Sequence, residues 1–246
     1  PGDAVFVPDF TFVATASTAA LEGATPVFVD VDDETFTIDP GALERAIHKV
    51  IEAGELTPKV IVPVDLFGLP ADYPALRRLA DRYGLKILED AAQGFGGSIS
   101  GQRAGSFGDA AITSFFPAKP LGCYGDGGAI FTDDDELAAL LGSLKVHGKG
   151  TSKYDTIRLG LNSRLDTVQA AILAVKLNGF DQELKQLNSI YARYTERLDG
   201  LVRTPVIPEG WSSSFAQYTI QLPDRARRDR LQQLLADEGI PSMVYY

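Results

Sequence analysis

Short, unbroken apolar runs alternate with helix-patterned segments along the first part of the chain. That alternation restricts the fold more than any other feature. The runs lie at residues 4–8 (AVFVP), 25–31 (TPVFVDV), 59–64 (KVIVPV) and 85–88 (LKIL). Continuous hydrophobicity marks strands buried on both faces, as in parallel sheets. Between the runs sit an Ala/Thr-rich helix over 13–22 stopped by Gly23, and a helix capped by Asp39 with Pro40 at its first position. Leu43, Ala46, Ile47, Val50 and Ile51 form the apolar stripe of that second helix. A third helix covers 72–83, with Leu76, Leu79 and Ala80 inward and Gly84 just past its end. The pattern predicts an α/β fold with a mostly parallel sheet and right-handed crossovers.

Further along, strands are expected at 110–115 and 128–132 and a helix at 134–145. A polar, locally basic and irregular stretch follows at 145–164, then a largely helical one at 164–201, interrupted near Gly179. After Pro205 the spacing predicts a half-exposed strand at 216–222, a charged helix at 225–238 and the start of a strand at 242–246. This divides the chain into a large domain over 1–200 and the beginning of a small α+β domain over 201–246.

The net charge of -10 argues against a general binder of nucleic acid or membrane surfaces, though it leaves room for one local basic pocket. A single cysteine, Cys123, excludes an internal disulfide and fits a reducing compartment, so a cytoplasmic location is expected. With only His48 and His147 beside it, a dedicated zinc site is not expected. No apolar run reaches the length of a membrane span and no signal peptide pattern is visible. The chain starts on Pro-Gly rather than Met and stops on MVYY, which reads as a fragment lacking both ends.

The chemistry concentrates in residues 88–128. Glu89 and Asp90 follow the apolar run at 85–88, and Lys119 follows the run at 110–116 between two Gly-rich segments. Open α/β sheets bind ligands at the carboxyl ends of their strands. An Asp that can pair with a pyridinium nitrogen and a Lys that can form a Schiff base are the groups a pyridoxal phosphate (PLP) enzyme needs. Taken alone, Lys119 also reads as a surface lysine and Asp90 as a cap after a strand. Glu89 is expected to point to the opposite side of the strand end.

The surrounding residues are more specific. E-D-A-A-Q at 89–93, G-S-F-G-D at 105–109, S-F-F-P-A-K-P-L-G at 114–122 and G-D-G-G-A-I-F-T at 125–132 closely resemble the DegT/DnrJ/EryC1/StrS sugar aminotransferases, over nearly the whole chain. The resemblance implies an aspartate aminotransferase-like (fold type I) PLP-dependent transferase, working as a homodimer with a shared active site. Lys119 would attach the cofactor and later move the substrate proton, while Asp90 would keep the ring nitrogen protonated. Gln93 would lie near the ring and its phenolic oxygen, Ser114 would bind the phosphate, and Phe12 would stack on the ring. Asn162 would be lent to the partner's cofactor phosphate, and Arg164 would contact an anionic substrate. Plainer roles stay open: an exposed amide for Gln93, a backbone-bonded strand serine for Ser114, a core ring for Phe12, and a cap and a solvated charge for Asn162 and Arg164. A Ser/Gly/Thr-rich phosphate-cradling turn, upstream of the P-G-D-x-V-x-V-P run in relatives, falls outside the sequence.

Within the family, residues 114–128 and 146–173 look most like the branch acting on UDP-2-acetamido-2-deoxy-3-oxo-D-glucuronate with glutamate as donor, in bacterial surface polysaccharide (O-antigen) biosynthesis. The basic residues Lys145, Lys149, Lys153, Arg158 and Arg164 would suit such an anionic nucleotide sugar. A perosamine-type 4-keto sugar is the alternative substrate, and a non-catalytic PLP-binding regulator the alternative function. Lys119 argues against that regulator, and against a related dehydratase that carries histidine in its place.

Overall fold

The computed structural model describes residues 1–152 and 154–246. Lys153, counted above in the basic stretch, lies outside the described residues.

Strand β1 (Asp3–Pro8) sits near one side of a six-stranded sheet of order β2-β1-β3-β4-β7-β8. The others are β2 (Thr25–Val29), β3 (Thr57–Ile61), β4 (Lys86–Asp90), β7 (Ala110–Ser114) and β8 (Gly128–Phe131). Every pairing is parallel except β7 with β8. The mostly parallel sheet follows from the alternation in the sequence. Helices α1 (Ala14–Leu21), α2 (Pro40–Ala53) and α3 (Tyr73–Tyr83) supply the crossovers.

Both faces of the sheet are covered, which is why the strands read as continuous apolar runs. Phe6, Ile61 and Ile87 pack against Leu43 and Ile47 of α2 and Leu76 of α3. Val5, Val7 and Val62 face the other way, against Ala16 and Ala19 of α1. Local chemistry sets the helix boundaries. Asp39 and Asp72 cap α2 and α3 by accepting the amides of Ala42 and Ala75, and Asp134 caps α4 (Asp135–Leu144) by accepting that of Leu137. Gly54 and Gly84 close α2 and α3 in the left-handed conformation that favours glycine.

The structure departs from the sequence expectation in four places. Helix α5 (Thr167–Leu198) runs through Gly179 without a break, because its inner face has a continuous seat: Leu173, Phe180 and Leu184 pack on Phe115, Leu121 and Cys123. Residues 216–222 form no strand; their one ladder contact is an isolated bridge from Gln221 to Arg203, beside side-chain contacts such as Tyr218 with Thr195 and Gln221 with Asp33. Residues 242–246 are also irregular, since neither stretch has a neighbouring strand to pair with. Ile51, placed on the inner stripe of α2, is half exposed at the helix end.

A small antiparallel sheet was not anticipated. It joins β5 (Ser98–Ile99), β6 (Gln102–Arg103) and β9 (Trp211–Ser212) in the order β6-β5-β9. It ties the chain after residue 201 to the main body, helped by the Arg203–Asp33 ion pair and by the stacking of Tyr191 of α5 on Tyr218, with ring centroids 5.2 Å apart. Helix α6 (Arg225–Asp237) follows with no buried residue.

Candidate active site

The carboxyl ends of β3, β4 and β7 meet at one edge of the sheet. Backbone bonds lock them in register there. The Asp90 amide donates to Pro63 O at 2.9 Å, the Asp65 amide to Asp90 O at 3.1 Å, and the Ala91 amide to Ile112 O at 2.9 Å.

Asp90 ends β4 and is 8% exposed. Its Oδ2 accepts the Thr15 hydroxyl at 2.9 Å and its Oδ1 accepts the Ala92 amide at 3.1 Å. Thr15 reaches it because α1 begins directly after the loop that leaves β1, which puts its first turn over the end of β4. Burial pushes the Asp90 carboxyl above its ordinary value, while the Ala92 amide, the Thr15 hydroxyl and the charge of Lys119 pull it back down.

Lys119 is half buried in the turn after β7, where its amide donates to Phe116 O at 2.8 Å. Burial pulls its amine below the usual lysine value, and the charge of Asp90 offsets part of that. A lysine held this way is more often neutral, and neutral amines are the nucleophilic ones. The acid and the amine predicted from the sequence therefore sit within each other's field.

Glu89 faces elsewhere, as expected from strand alternation. It is fully buried and accepts the amides of Gly105 and Phe107. Gln93 is 5% exposed, so it is not an exposed amide. Its Oε1 accepts the Phe67 amide at 2.6 Å and its Nε2 donates to the Tyr246 hydroxyl at 2.9 Å. Ser114 ends β7 half buried, and its Oγ accepts the Phe116 amide at 3.2 Å. Phe12 is 57% exposed on the loop before α1, so it is not a core ring.

Asn162 and Arg164 are both exposed. Asn162 bridges to Val146, and Arg164 lines a cleft of about 980 Å³ between β8 and α4. None of Asp90, Gln93, Ser114 or Lys119 lines that cleft. Within one chain, the structure thus gathers Asp90 and Lys119 at one strand edge and leaves Arg164 in a different cleft.

The DegT/DnrJ/EryC1/StrS aminotransferase family profile matches residues 1–246. The chain belongs to this family. It is 47% identical over 249 residues to the UDP-2-acetamido-2-deoxy-3-oxo-D-glucuronate aminotransferase of Pseudomonas aeruginosa, an alignment covering 100% of this chain and 66% of that protein. A DegT/DnrJ/EryC1/StrS aminotransferase from Brucella abortus superposes with a TM-score of 0.97 at 52% identity, over 100% of this chain and 65% of that one. NtdA from Bacillus subtilis, solved with bound cofactor PMP, gives a TM-score of 0.84 at 32% identity, over 100% of this chain and 55% of that one. The chain thus spans less than two thirds of the length of these family members. The neighbours place its sheet and helices in the fold type I class of PLP-dependent enzymes.

Three site residues escaped the motif reading. Thr15 sits in an Ala/Thr-rich helix with nothing to single it out. Tyr246 reaches Gln93 and lies parallel to Phe67 with ring centroids 6.5 Å apart, in a cluster that includes Phe10 and Phe36. Asp65 carried a signal: it follows the apolar run of β3 as Asp90 ends that of β4.

Proposed function

We propose that this chain carries the cofactor-holding part of a PLP-dependent aminotransferase that moves an amino group from glutamate to a keto group of a nucleotide sugar. The observation that carries the reading is that Lys119 and Asp90 lie at neighbouring strand ends within each other's field. The amine is depressed, and the carboxylate is buried and doubly hydrogen-bonded.

These residues fit the cofactor. A buried carboxylate complements a pyridinium N–H, and an amine that holds its proton less tightly than an ordinary lysine suits covalent attachment. When bound, the cofactor supplies an electron sink for breaking a bond at the amine-bearing carbon. Asp90 keeps the ring nitrogen protonated, and Thr15 with the Ala92 amide fixes the direction of its carboxylate. Lys119 Nζ would hold the cofactor and, when its amine is free, would move the proton at the substrate's amine-bearing carbon. The exposed Phe12 ring is free to cover the cofactor face, and the Ser114 hydroxyl can donate to its phosphate. Gln93, tied to Phe67 and Tyr246, braces the site wall beside Asp90.

The name of the Pseudomonas relative supports UDP-2-acetamido-2-deoxy-3-oxo-D-glucuronate as the acceptor; the proposed setting, from the sequence resemblance alone, is bacterial surface polysaccharide such as O-antigen. The exposed Lys145, Lys149, Arg158 and Arg164 suit its carboxylate and diphosphate. A homodimer would account for Arg164 lining a cleft without Asp90 and Lys119, and for the exposure of Asn162, since the resemblance lends Asn162 to the partner's site. Exposed apolar side chains at Ile157, Leu159, Leu161, Val168 and Val175 supply a surface for it. No described helix is long and apolar enough to cross a membrane. A cytoplasmic setting is where this reading places the enzyme.

The test is a visible absorption spectrum of the chain with PLP, before and after glutamate. A band that bleaches with glutamate and is missing in Lys119→Ala is expected. A band of equal strength in Lys119→Ala, or a wild-type band indifferent to glutamate, contradicts the reading. Steady-state comparison of 3-keto and 4-keto nucleotide sugars then decides the acceptor, and preference for the 4-keto sugar overturns the substrate assignment alone.

A further inference from the structure

Behind Asp90 the fold buries two more carboxyl groups. Asp65 follows β3, Glu89 precedes Asp90 on β4, and both are wholly inaccessible. Two ionised carboxylates side by side without a cation would be strongly unfavourable in such a place.

Their partners distinguish them. Both oxygens of Glu89 face backbone donors, from Gly105 and Phe107, which is the surrounding of an ionised carboxylate. On Asp65, Oδ1 accepts the Tyr73 hydroxyl at 2.7 Å and the Ala71 amide at 3.1 Å. Its Oδ2 is buried with no hydrogen-bond partner among the described residues. Yet the charge of Glu89 acts on Asp65 and the Asp65 side chain acts on Glu89, so the two carboxyls lie close together. Gly94 closes over the same oxygen, where a Cβ would lie 2.3 Å from Oδ2. One proton on Oδ2 resolves all of this: the orphan acceptor becomes a donor, its target is Glu89, and the pair carries one charge instead of two.

We propose that Asp65 is a positioning residue that stays protonated at neutral pH, donates its Oδ2 hydrogen to Glu89, and so leaves Asp90 facing one buried negative charge rather than two. Burial and the neighbouring Glu89 push Asp65 well above the ordinary carboxyl value, against the pull of the Tyr73 hydroxyl and the Ala71 amide. Glu89, Tyr73 and Asp90 are the titratable groups that act on Asp65; Asp65 is the one that acts on Glu89, beside hydrogen bonds from the amides of Gly105, Phe107 and Gly108. The consequence for Asp90 rests on the function proposed above; the shared proton does not.

Because the folded state raises Asp65, it favours the protonated form. Its stabilising contribution is complete below the unfolded Asp value of about 3.9 and declines as pH rises through the raised folded value.

Infrared spectra of the chain without cofactor test the pair separately from the aminotransferase reading. At neutral pH the wild type should show a protonated-carboxyl stretch that shifts in D2O and is lost in Asp65→Asn. Asparagine keeps the Oδ1 acceptor and offers Nδ2–H to Glu89, so its melting temperature should match wild type within about 2 °C. Glu89→Gln sets an amide NH2 against the Gly105 and Phe107 donors and should lose roughly 4 °C or more, or fail to fold. Absence of the stretch in wild type, its survival in Asp65→Asn, or an Asp65→Asn variant as damaged as Glu89→Gln would overturn the proposal.

Discussion

At the scale of single residues, the site was legible where chemistry follows a strand and obscure where it follows packing. Asp90 and Lys119 were singled out by the apolar runs they trail together with the family-like motifs around them. Thr15 could not, because a threonine among alanines has no pattern, although it supplies one of the two hydrogen bonds that hold Asp90. Thr15→Val keeps the shape and removes the donor. It should lower the unfolding free energy by about 1–3 kcal/mol in urea titrations, with Thr15→Ser recovering most of it. An equal loss in the serine variant would assign the effect to packing. Asp109 is a second case. The Ile87 amide and the cations of Lys86 and Arg77 outweigh its partial burial and hold its carboxyl at about 2. A depressed folded value stabilises the protein above the unfolded value of about 3.9, and that gain is lost as pH falls toward 2. Thermal melts of Asp109→Asn should therefore show a weaker decline between about pH 4 and pH 2 than wild type. Parallel declines would remove Asp109 from the account.

At the scale of elements, helix ends were readable because their signals are local: Asp39, Asp72 and Asp134 all cap the helices they precede. Two-residue strands such as β5 and β9 have no period to read, and only the fold brings Ile99 beside Trp211. Gly179 misled for the opposite reason. A glycine suggests a break, but α5 is held across it by Phe180 and Leu184 on the Phe115 cluster. A Cβ at 179 meets nothing within 4 Å, so Gly179→Ala should stabilise by about 0.5–1 kcal/mol through the lower entropy of the unfolded chain. A Cβ at Gly94 would instead strike Asp65 Cβ at 2.3 Å, and Gly94→Ala should cost about 1–3 kcal/mol or more. The two substitutions, identical on paper, should shift the urea midpoint in opposite directions. A shift of the same sign in both would mean the glycines act through something other than the space around them.

At the scale of the whole molecule, the mostly parallel sheet and its covered faces follow from the alternation of runs and helices, while the strand order had no sequence signal, and the family match spans residues 1–246. Association was the least readable property, because an apolar residue in a polar stretch looks like noise until the fold shows it uncovered. Leu159 is 95% exposed. If this surface joins two copies, sedimentation velocity should find a dimer, and Leu159→Asp should weaken it at least about tenfold. A monomer in both would remove the shared site. Within each chain, Lys119, in the field of Asp90, is proposed to hold the cofactor. Borohydride reduction of the chain with PLP, followed by peptide mass mapping, tests it most directly. The account predicts that the added mass sits on the peptide containing Lys119 and vanishes in Lys119→Ala. Mass on another lysine, with Lys119 unmodified, would contradict it.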